Sequence, residues 1–235
     1  MSVHFPAPPL RLRSLALFGG TFDPVHCGHL AAARAARDRF HLDAVHFVVA
    51  GLPPHKHRKP LTPFVHRCAM AALACAGESR LAVSFAEAGR DFSGSATFYS
   101  VDLVREYRKR LPRGAHLYFL IGVDAFLEIG TWREAEKLLD SCDFLVVSRP
   151  GFRLDALQRA LPPAVVRAEG RGTGERREGS GNILRLRHSS VNLISSVRVD
   201  ASSTEIRRRA ACGRSIRGMV PPAVEDYICK QALYR

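Results

Sequence analysis

The stretch Leu15-Ala16-Leu17-Phe18-Gly19-Gly20-Thr21-Phe22-Asp23-Pro24-Val25-His26-Cys27-Gly28-His29-Leu30 decides how the rest of the chain is read. Its first four residues form a short, continuous apolar run closed by two glycines, the pattern of a buried strand that ends in a tight turn. Beyond Pro24 the composition turns Ala-rich and predicts a helix from about Gly28 to Phe40. Glycines at such a turn let the backbone approach a ligand closely. The helix start offers free N–H groups and the positive end of a dipole, a natural anion site. His26 and His29 are three apart, so a first helical turn can point both to one side, and Gly28 leaves room for a phosphate between them. Two imidazoles and several N–H groups around one phosphate can stabilise the charge that develops on phosphorus in nucleotidyl transfer. Taken alone, the pair also fits a helix cap with a satisfied polar side chain. Zinc would need further ligands at a spacing the chain lacks.

The same alternation continues downstream. Strands are expected at Val45–Val49, Leu81–Phe85, Leu117–Ile121 and Phe144–Val147, and helices at Pro63–Ala76, Thr97–Arg110 and Asp124–Leu139. A loop with the basic run His55-Lys56-His57-Arg58-Lys59 precedes the second helix. Continuous rather than alternating apolar strands mean a parallel sheet covered on both faces. The expected fold is α/β: a Rossmann-like, doubly wound parallel sheet in a three-layer α/β/α sandwich, with ligands at the carboxyl ends of the strands. Strands at Leu184–Leu186 and Val191–Val199 and a helical region from Ser203 through Pro221–Leu233 complete the chain. Residues 1–10 read as a flexible lead-in and 11–235 as one domain. The Gly- and charge-rich segment 167–182 lacks periodicity and reads as a mobile loop.

At 235 residues the chain can bury a real core without disulfide or metal staples. No apolar run reaches the ~18 residues of a membrane span. Six cysteines without any C-x-x-C pair (Cys27, Cys68, Cys75, Cys142, Cys212, Cys229) read as reduced, mostly buried thiols of a cytoplasmic protein. The formal net charge is +13. Residues 151–235 hold 16 basic and 8 acidic side chains, +8 of that total. Such an excess suits nucleic acid, acidic lipid or a small phosphorylated substrate. Against nucleic acid, the chain has no basic stripe interleaved with aromatics and no helix-turn-helix or RNA-recognition signature.

A second candidate cradle is Ser202-Ser203-Thr204-Glu205-Ile206-Arg207. Hydroxyls before a helix, with an arginine one turn in, can hold an anion. Ser202 and Glu205 also fit a plain capping box.

With these residues in view, the first stretch resembles the G-G-x-F-D-P-x-H-x-G-H signature of the H-x-G-H nucleotidyltransferases, which transfer a nucleotidyl group from a nucleoside triphosphate to a phosphate. Together with S-S-T-x-I-R the resemblance narrows to the bacterial nicotinate-nucleotide adenylyltransferase family. Pro53-Pro54-His55-Lys56, Ile121-Gly122-Val123-Asp124 with Trp132, and Ser148-Arg149-Pro150-Gly151 resemble further landmarks of that family. At its S-Y-T-x-D-T acceptor segment this chain has Ser95-Ala96-Thr97-Phe98-Tyr99-Ser100, a departure at Ala96, Tyr99 and Ser100.

The resemblance implies adenylyl transfer from ATP to nicotinate mononucleotide, giving deamido-NAD and pyrophosphate, with Mg²⁺ accompanying ATP. It implies catalytic roles for His26, His29, Lys56 and Arg207. ATP contacts are implied at Gly19, Gly20, Thr21, Phe22, His26, His29, Lys56, Gly122, Asp124, Ser203, Thr204 and Arg207, with Asp124 on a ribose hydroxyl. The mononucleotide would be held by Thr21, Phe22, Thr97, Trp132 and Arg149, and no resident metal site is expected. Alternatives are another acceptor within the superfamily (nicotinamide mononucleotide or pantetheine phosphate) or a basic nucleic-acid-binding protein. The expected partners are therefore ATP and a pyridine mononucleotide, with neither nucleic acid nor membrane, and a homo-oligomer left open.

Overall fold

The computed structural model describes residues 12–51, 61–86, 99–148, 152–166, 182–195 and 201–235. The chain runs β1 (Ser14–Gly20), α1 (Cys27–Arg39), β2 (Ala44–Val49), α2 (Phe64–Cys75), β3 (Leu81–Ser84), α3 (Ser100–Arg110), β4 (His116–Gly122), α4 (Val123–Phe126), α5 (Ala135–Ser141), β5 (Asp143–Val147), α6 (Leu154–Ala160), β6 (Ile183–Arg185), β7 (Ser190–Ile194), α7 (Ser203–Ala211) and α8 (Pro222–Lys230). Among the described residues the strands form one sheet in the order β3-β2-β1-β4-β5-β7-β6. All neighbours are parallel except β6, which lies antiparallel to β7 at the edge.

Alternation along β1 divides the core. Leu15 and Leu17 enter a cluster with Phe119, Phe144, Val104, Phe126, Leu138 and Leu157, so α3 to α6 cover that face. Ala16 and Phe18 enter the opposite cluster with Phe47, Leu30, Met70, Ile206 and Val224, so α1, α2, α7 and α8 cover the other. Both faces of the strands are buried, which is why their sequences are continuously apolar. The three-layer α/β/α architecture expected from the sequence is the one found.

The strand order reverses between β1 and β4, whose neighbours extend outward as β2-β3 on one side and β5-β7 on the other. Ligands of open α/β sheets bind outside the carboxyl ends of strands at such a switch point. The turn Gly19–Pro24 leaves β1 there.

Four expectations are corrected. Asp124–Leu139 is not one helix. It breaks into α4, a 3₁₀ turn at Ile129–Thr131 and α5, with Trp132 extended and Glu134 left-handed at φ 51°. Gly130 favours the break. It packs so closely that a Cβ there would lie 3.3 Å from the Ala160 carbonyl oxygen. The final helical region is two helices, parted by Gly213 and Gly218 at φ 63° and 77° and by Pro221. Strand β7 ends at Ile194, short of the expected Val199, and residues 196–200 lie outside the described ones. Of the cysteines only Cys68, Cys75 and Cys142 are buried, whereas Cys212 and Cys229 are exposed and Cys27 is half-buried. Helix α6 was not anticipated. No helix of the described residues is long and apolar enough to cross a membrane.

Candidate active site

Three aromatic rings shape the turn after β1. Phe22 has a left-handed backbone, φ 49°, a conformation that costs a non-glycine residue about 1 kcal/mol. Its ring is 2% exposed and packs on Phe18, Phe47 and His29 at centroid distances of 5.4, 5.3 and 4.9 Å. The ring lies over Gly20, where a Cβ would come within 2.8 Å of its Cζ atom. A side chain at position 20 would expel the ring, so the second glycine is required by close approach.

His26 is the N-cap of α1, not a residue of its first turn. Its Nδ1 accepts the Gly28 backbone N–H at 3.1 Å. In return, His29 Nδ1 accepts the His26 backbone N–H at 3.2 Å. The two rings stack with centroids 3.7 Å apart and planes 27° apart. Gly28 makes this possible, since a Cβ there would lie 3.0 Å from both Cε1 and Nδ1 of His26. An Nδ1 that accepts a hydrogen bond carries no proton, so each neutral ring carries its proton on Nε2. Burial lowers the His26 pKa from 6.5 to about 4. Desolvation, and then the charge His26 would carry, hold His29 well below the ordinary histidine value. Near neutral pH the pair is thus two parallel, uncharged N–H donors.

The free N–H groups expected at the start of α1 are taken. Cys27 N donates to the Met219 carbonyl at 2.9 Å, Gly28 N to the His26 ring, and His29 N to the His26 carbonyl at 2.9 Å. The orphan donors of a helix N-terminus must find partners when they are enclosed, and the segment before α8 supplies one. What remains for an anion at this helix end is the dipole and the two Nε2–H groups.

The second motif closes on the first. Ser202 caps α7 by accepting Glu205 N–H at 3.2 Å, the forward half of a capping box, while the Glu205 carboxylate pairs with Arg208 and Arg209 instead. Ser203 Oγ donates to the Pro24 carbonyl at 2.9 Å. Arg207 donates to the Asp23 carbonyl at 2.6 Å and approaches Thr204 Oγ1 at 3.4 Å. Ser203 therefore spends its proton on the turn, while Ser202 and Thr204 are exposed and Ser202 is committed to the cap of α7. Gly122 and Asp124 stand exposed where β4 passes into α4. Trp132 is half-buried, edge-on to Phe119 at 6.2 Å, and Phe119 in turn lies 3.2 Å from where a Gly19 Cβ would stand. The carboxyl ends of β1 and β4 thus gather Gly19, Gly20, Thr21, Phe22, His26, His29, Trp132 and Asp124. Lys56, Thr97 and Arg149 lie outside the described residues, as do the lead-in 1–10 and nearly all of segment 167–182.

One residue was missed. Arg67 of α2 is 2% exposed and donates to four backbone carbonyls: Thr62 at 2.9 Å, Thr21 at 2.9 Å, Ala50 at 2.5 Å and Gly51 at 2.9 Å. It ties the phosphate-side turn to the end of β2 and the start of α2. The signal was an arginine set among Phe64, Cys68, Met70 and Ala71 on the apolar face of a helix, where a cation is present only if it has partners.

Comparison with known proteins identifies the family. Residues 17–209 match the cytidylyltransferase-like family model. A protein of Geobacter sulfurreducens, named a probable nicotinate-nucleotide adenylyltransferase, is 42% identical over 221 residues, covering 93% of this chain and 96% of that one. The chain belongs to the nicotinate-nucleotide adenylyltransferase family. It is a nucleotidyltransferase. A similarly named protein of Solibacter usitatus is 42% identical over 220 residues, 94% of this chain and 98% of its own. Among solved structures, the Plasmodium falciparum nicotinic acid mononucleotide adenylyltransferase complexed with NaAD superposes with a TM-score of 0.67 at 21% identity. It covers 94% of this chain and 97% of that one, a likeness of fold.

Among the described residues no group of three or more His, Cys, Asp or Glu side chains could hold a metal ion. Asp23 is 4% exposed, and both its carboxylate oxygens already accept hydrogen bonds, from Tyr234 Oη at 2.7 Å and Thr62 N at 3.3 Å.

Proposed function

We propose that the protein transfers the adenylyl group of Mg²⁺-ATP to nicotinate mononucleotide, forming deamido-NAD and releasing pyrophosphate. The observation that carries this reading is the stacked His26–His29 pair, whose Nδ1 atoms are taken up by backbone N–H groups at the start of α1, which leaves Nε2–H as the donor of each neutral ring at the sheet's switch point. A phosphate oxygen of the mononucleotide attacks the α-phosphorus of ATP, and the bond from that phosphorus to the bridging oxygen of the β-phosphate breaks. The attacking phosphate is already anionic near neutral pH, so no strong general base is required. Catalysis rests on aligning two anions and on donors placed where charge develops.

In this reading His29 donates to an α-phosphate oxygen and His26 to the β-phosphate side. Mg²⁺, entering as part of the substrate, neutralises the phosphates and the departing pyrophosphate. Uncharged donors suit the task, because a preorganised N–H stabilises developing charge without itself giving up a proton. Thr204 and Arg207 face the outer phosphates, with Ser203 acting through the Pro24 carbonyl. Lys56 belongs with them by resemblance. Asp124 takes a ribose hydroxyl. Trp132 offers an aromatic face to the pyridine ring, joined by Thr97 and Arg149 by resemblance.

The experiment is pyrophosphate release from ATP against a panel of acceptors. Nicotinate mononucleotide is expected to exceed nicotinamide mononucleotide by at least about 100-fold in kcat/KM, since an amide turned toward donors leaves them unpaired. Equal values reject acid selectivity. Turnover with pantetheine phosphate alone rejects the pyridine acceptor.

A further inference from the structure

The far end of the chain returns to the Phe22–Pro24 turn. After α8 the backbone reverses through Ala232 at φ 49°, with the Leu233 N–H donating to the Ile228 carbonyl at 3.1 Å, a Schellman-type closure built without glycine. Tyr234 follows, again left-handed at φ 67°. Two non-glycine residues in that region within three positions are costly and persist only where the surroundings fix them. The result is that Tyr234 Oη reaches Asp23 Oδ1 at 2.7 Å, across 211 residues of sequence, and touches Met70 Sδ at 4.0 Å.

Asp23 is held from three sides and its neighbour Pro24 from a fourth. The Asp23 carbonyl accepts from Arg207, its Oδ1 from Tyr234, its Oδ2 from the Thr62 N–H, and the next carbonyl, of Pro24, accepts from Ser203. The Thr62 hydroxyl also bonds with Tyr234. Burial and the adjacent Asp23 charge push the Tyr234 pKa above its ordinary value, so the hydroxyl stays a donor. Asp23 is enclosed, and each of its carboxylate oxygens already accepts a hydrogen bond from the protein. Its place in the sequence, between the strained Phe22 and the His26 cap, makes it the hinge pin of the turn.

We infer that Tyr234 is a positioning residue of the site: by fixing the Asp23 carboxylate it sets the orientation of the turn that aims His26 and His29. The inference rests on the adenylyl-transfer reading for its kinetic consequence and on geometry alone for its structural one. Tyr234→Phe removes one oxygen and keeps the ring. With ATP and nicotinate mononucleotide as substrates it is expected to lower kcat by at least about tenfold, as slight misplacement of donors does, with the KM for ATP within about threefold of the parent. Ile228→Val, a cut in the buried face of α8 that leaves untouched the backbone carbonyl closing the turn at Ala232, supplies a control of comparable thermal shift whose kcat stays within about twofold.

A kcat for Tyr234→Phe close to the parent overturns the inference, and so does an equal loss in Ile228→Val, which would make the role merely structural. A second readout does not depend on turnover: the Nε2 resonances of His26 and His29 are expected to move in Tyr234→Phe and not in Ile228→Val. Unmoved resonances overturn the inference even where the acceptor proves to be a different phosphate. Should Tyr234→Phe not fold, Thr62→Val, which strips the partner hydroxyl at a half-buried position, is read by the same two measurements with the same expected and opposing results.

Discussion

The imidazoles of His26 and His29 lie face to face at 3.7 Å, each fixed by a backbone N–H donated into its Nδ1. Two charged rings could not stack so closely, since at that separation like charges repel by several kcal/mol at protein-like dielectric, about 4 kcal/mol at 4 Å. The arrangement therefore selects the uncharged form of both, and with it the Nε2–H tautomer. In the proposed mechanism the histidines would act as dipolar donors, with full positive charge supplied by Arg207, by Lys56 and by the metal carried by ATP.

Removal of one donor should show this directly. His29→Ala is expected to lower kcat by at least about 100-fold, roughly 2.7 kcal/mol, the cost of losing one oxyanion-type donor. ATP binding should weaken far less, because the donor is aimed at charge that grows in the transition state. The check is steady-state kinetics beside equilibrium binding of a non-hydrolysable ATP analogue, and near-parental turnover in the folded variant removes the role.

Acid should cost stability through the same rings. The unfolded chain protonates a histidine near 6.5, whereas folded His26 protonates at about 4. Its contribution is therefore complete above pH 6.5 and is lost as pH falls from 6.5 toward 4, at up to about 1.4 kcal/mol per unit and about 3 kcal/mol over the window. His29 moves in the same direction. His46, likewise lowered to about 4 by burial, adds to the same window, whereas Glu134 and Glu205, lowered to about 2 by their Lys and Arg partners, lose their contribution only as pH falls below about 4.5. Urea denaturation between pH 4 and 7.5 reads the slope. His26→Asn, which can still cap the helix but does not titrate, should flatten it.

The strand-turn-helix at Leu15–Leu30 was legible because its information is local: an apolar run, two glycines and a helix start. The Ser202 cap of α7 was legible for the same reason. What escaped depended on distant partners. The first N–H groups of α1 are free in any local reading, and only Met219, 192 residues after Cys27, shows that one of them is taken. Ser203 looks like a phosphate ligand until Pro24 lies beneath it. The break in 124–139 follows from Gly130 meeting α6, a helix that sequence reading passed over. Tyr234 carries no signal of its own, since nothing near it in sequence mentions Asp23.

Arg67 offers a stability test. Arg67→Met keeps the apolar stem and removes the donors to four backbone carbonyls, one in a buried bond and three in part-buried ones. Each buried acceptor left unpaired costs about 1–3 kcal/mol before water re-enters, so a loss of at least about 3 kcal/mol is expected in urea denaturation. Arg67→Lys should not rescue it, because a point ammonium cannot span carbonyls arranged around a planar fork. A change under about 1 kcal/mol would mean that the turn holds without this clamp.

Gly28→Ala separates site geometry from fold stability most sharply. Within a helix, alanine is favoured over glycine by up to about 1 kcal/mol, so the substitution by itself should hold or raise the thermal midpoint. The added Cβ, however, would stand 3.0 Å from Cε1 and Nδ1 of His26. The ring must give by a few tenths of an ångström, which strains the Gly28 N–H to Nδ1 bond and the stack on His29. Activity should fall by at least about tenfold in kcat, while the midpoint stays level or rises. A midpoint that collapses with activity would instead place Gly28 in the packing against Ala201, whose carbonyl oxygen is 3.7 Å from the same Cβ. Parental activity would show that the stacked pair is not needed for transfer.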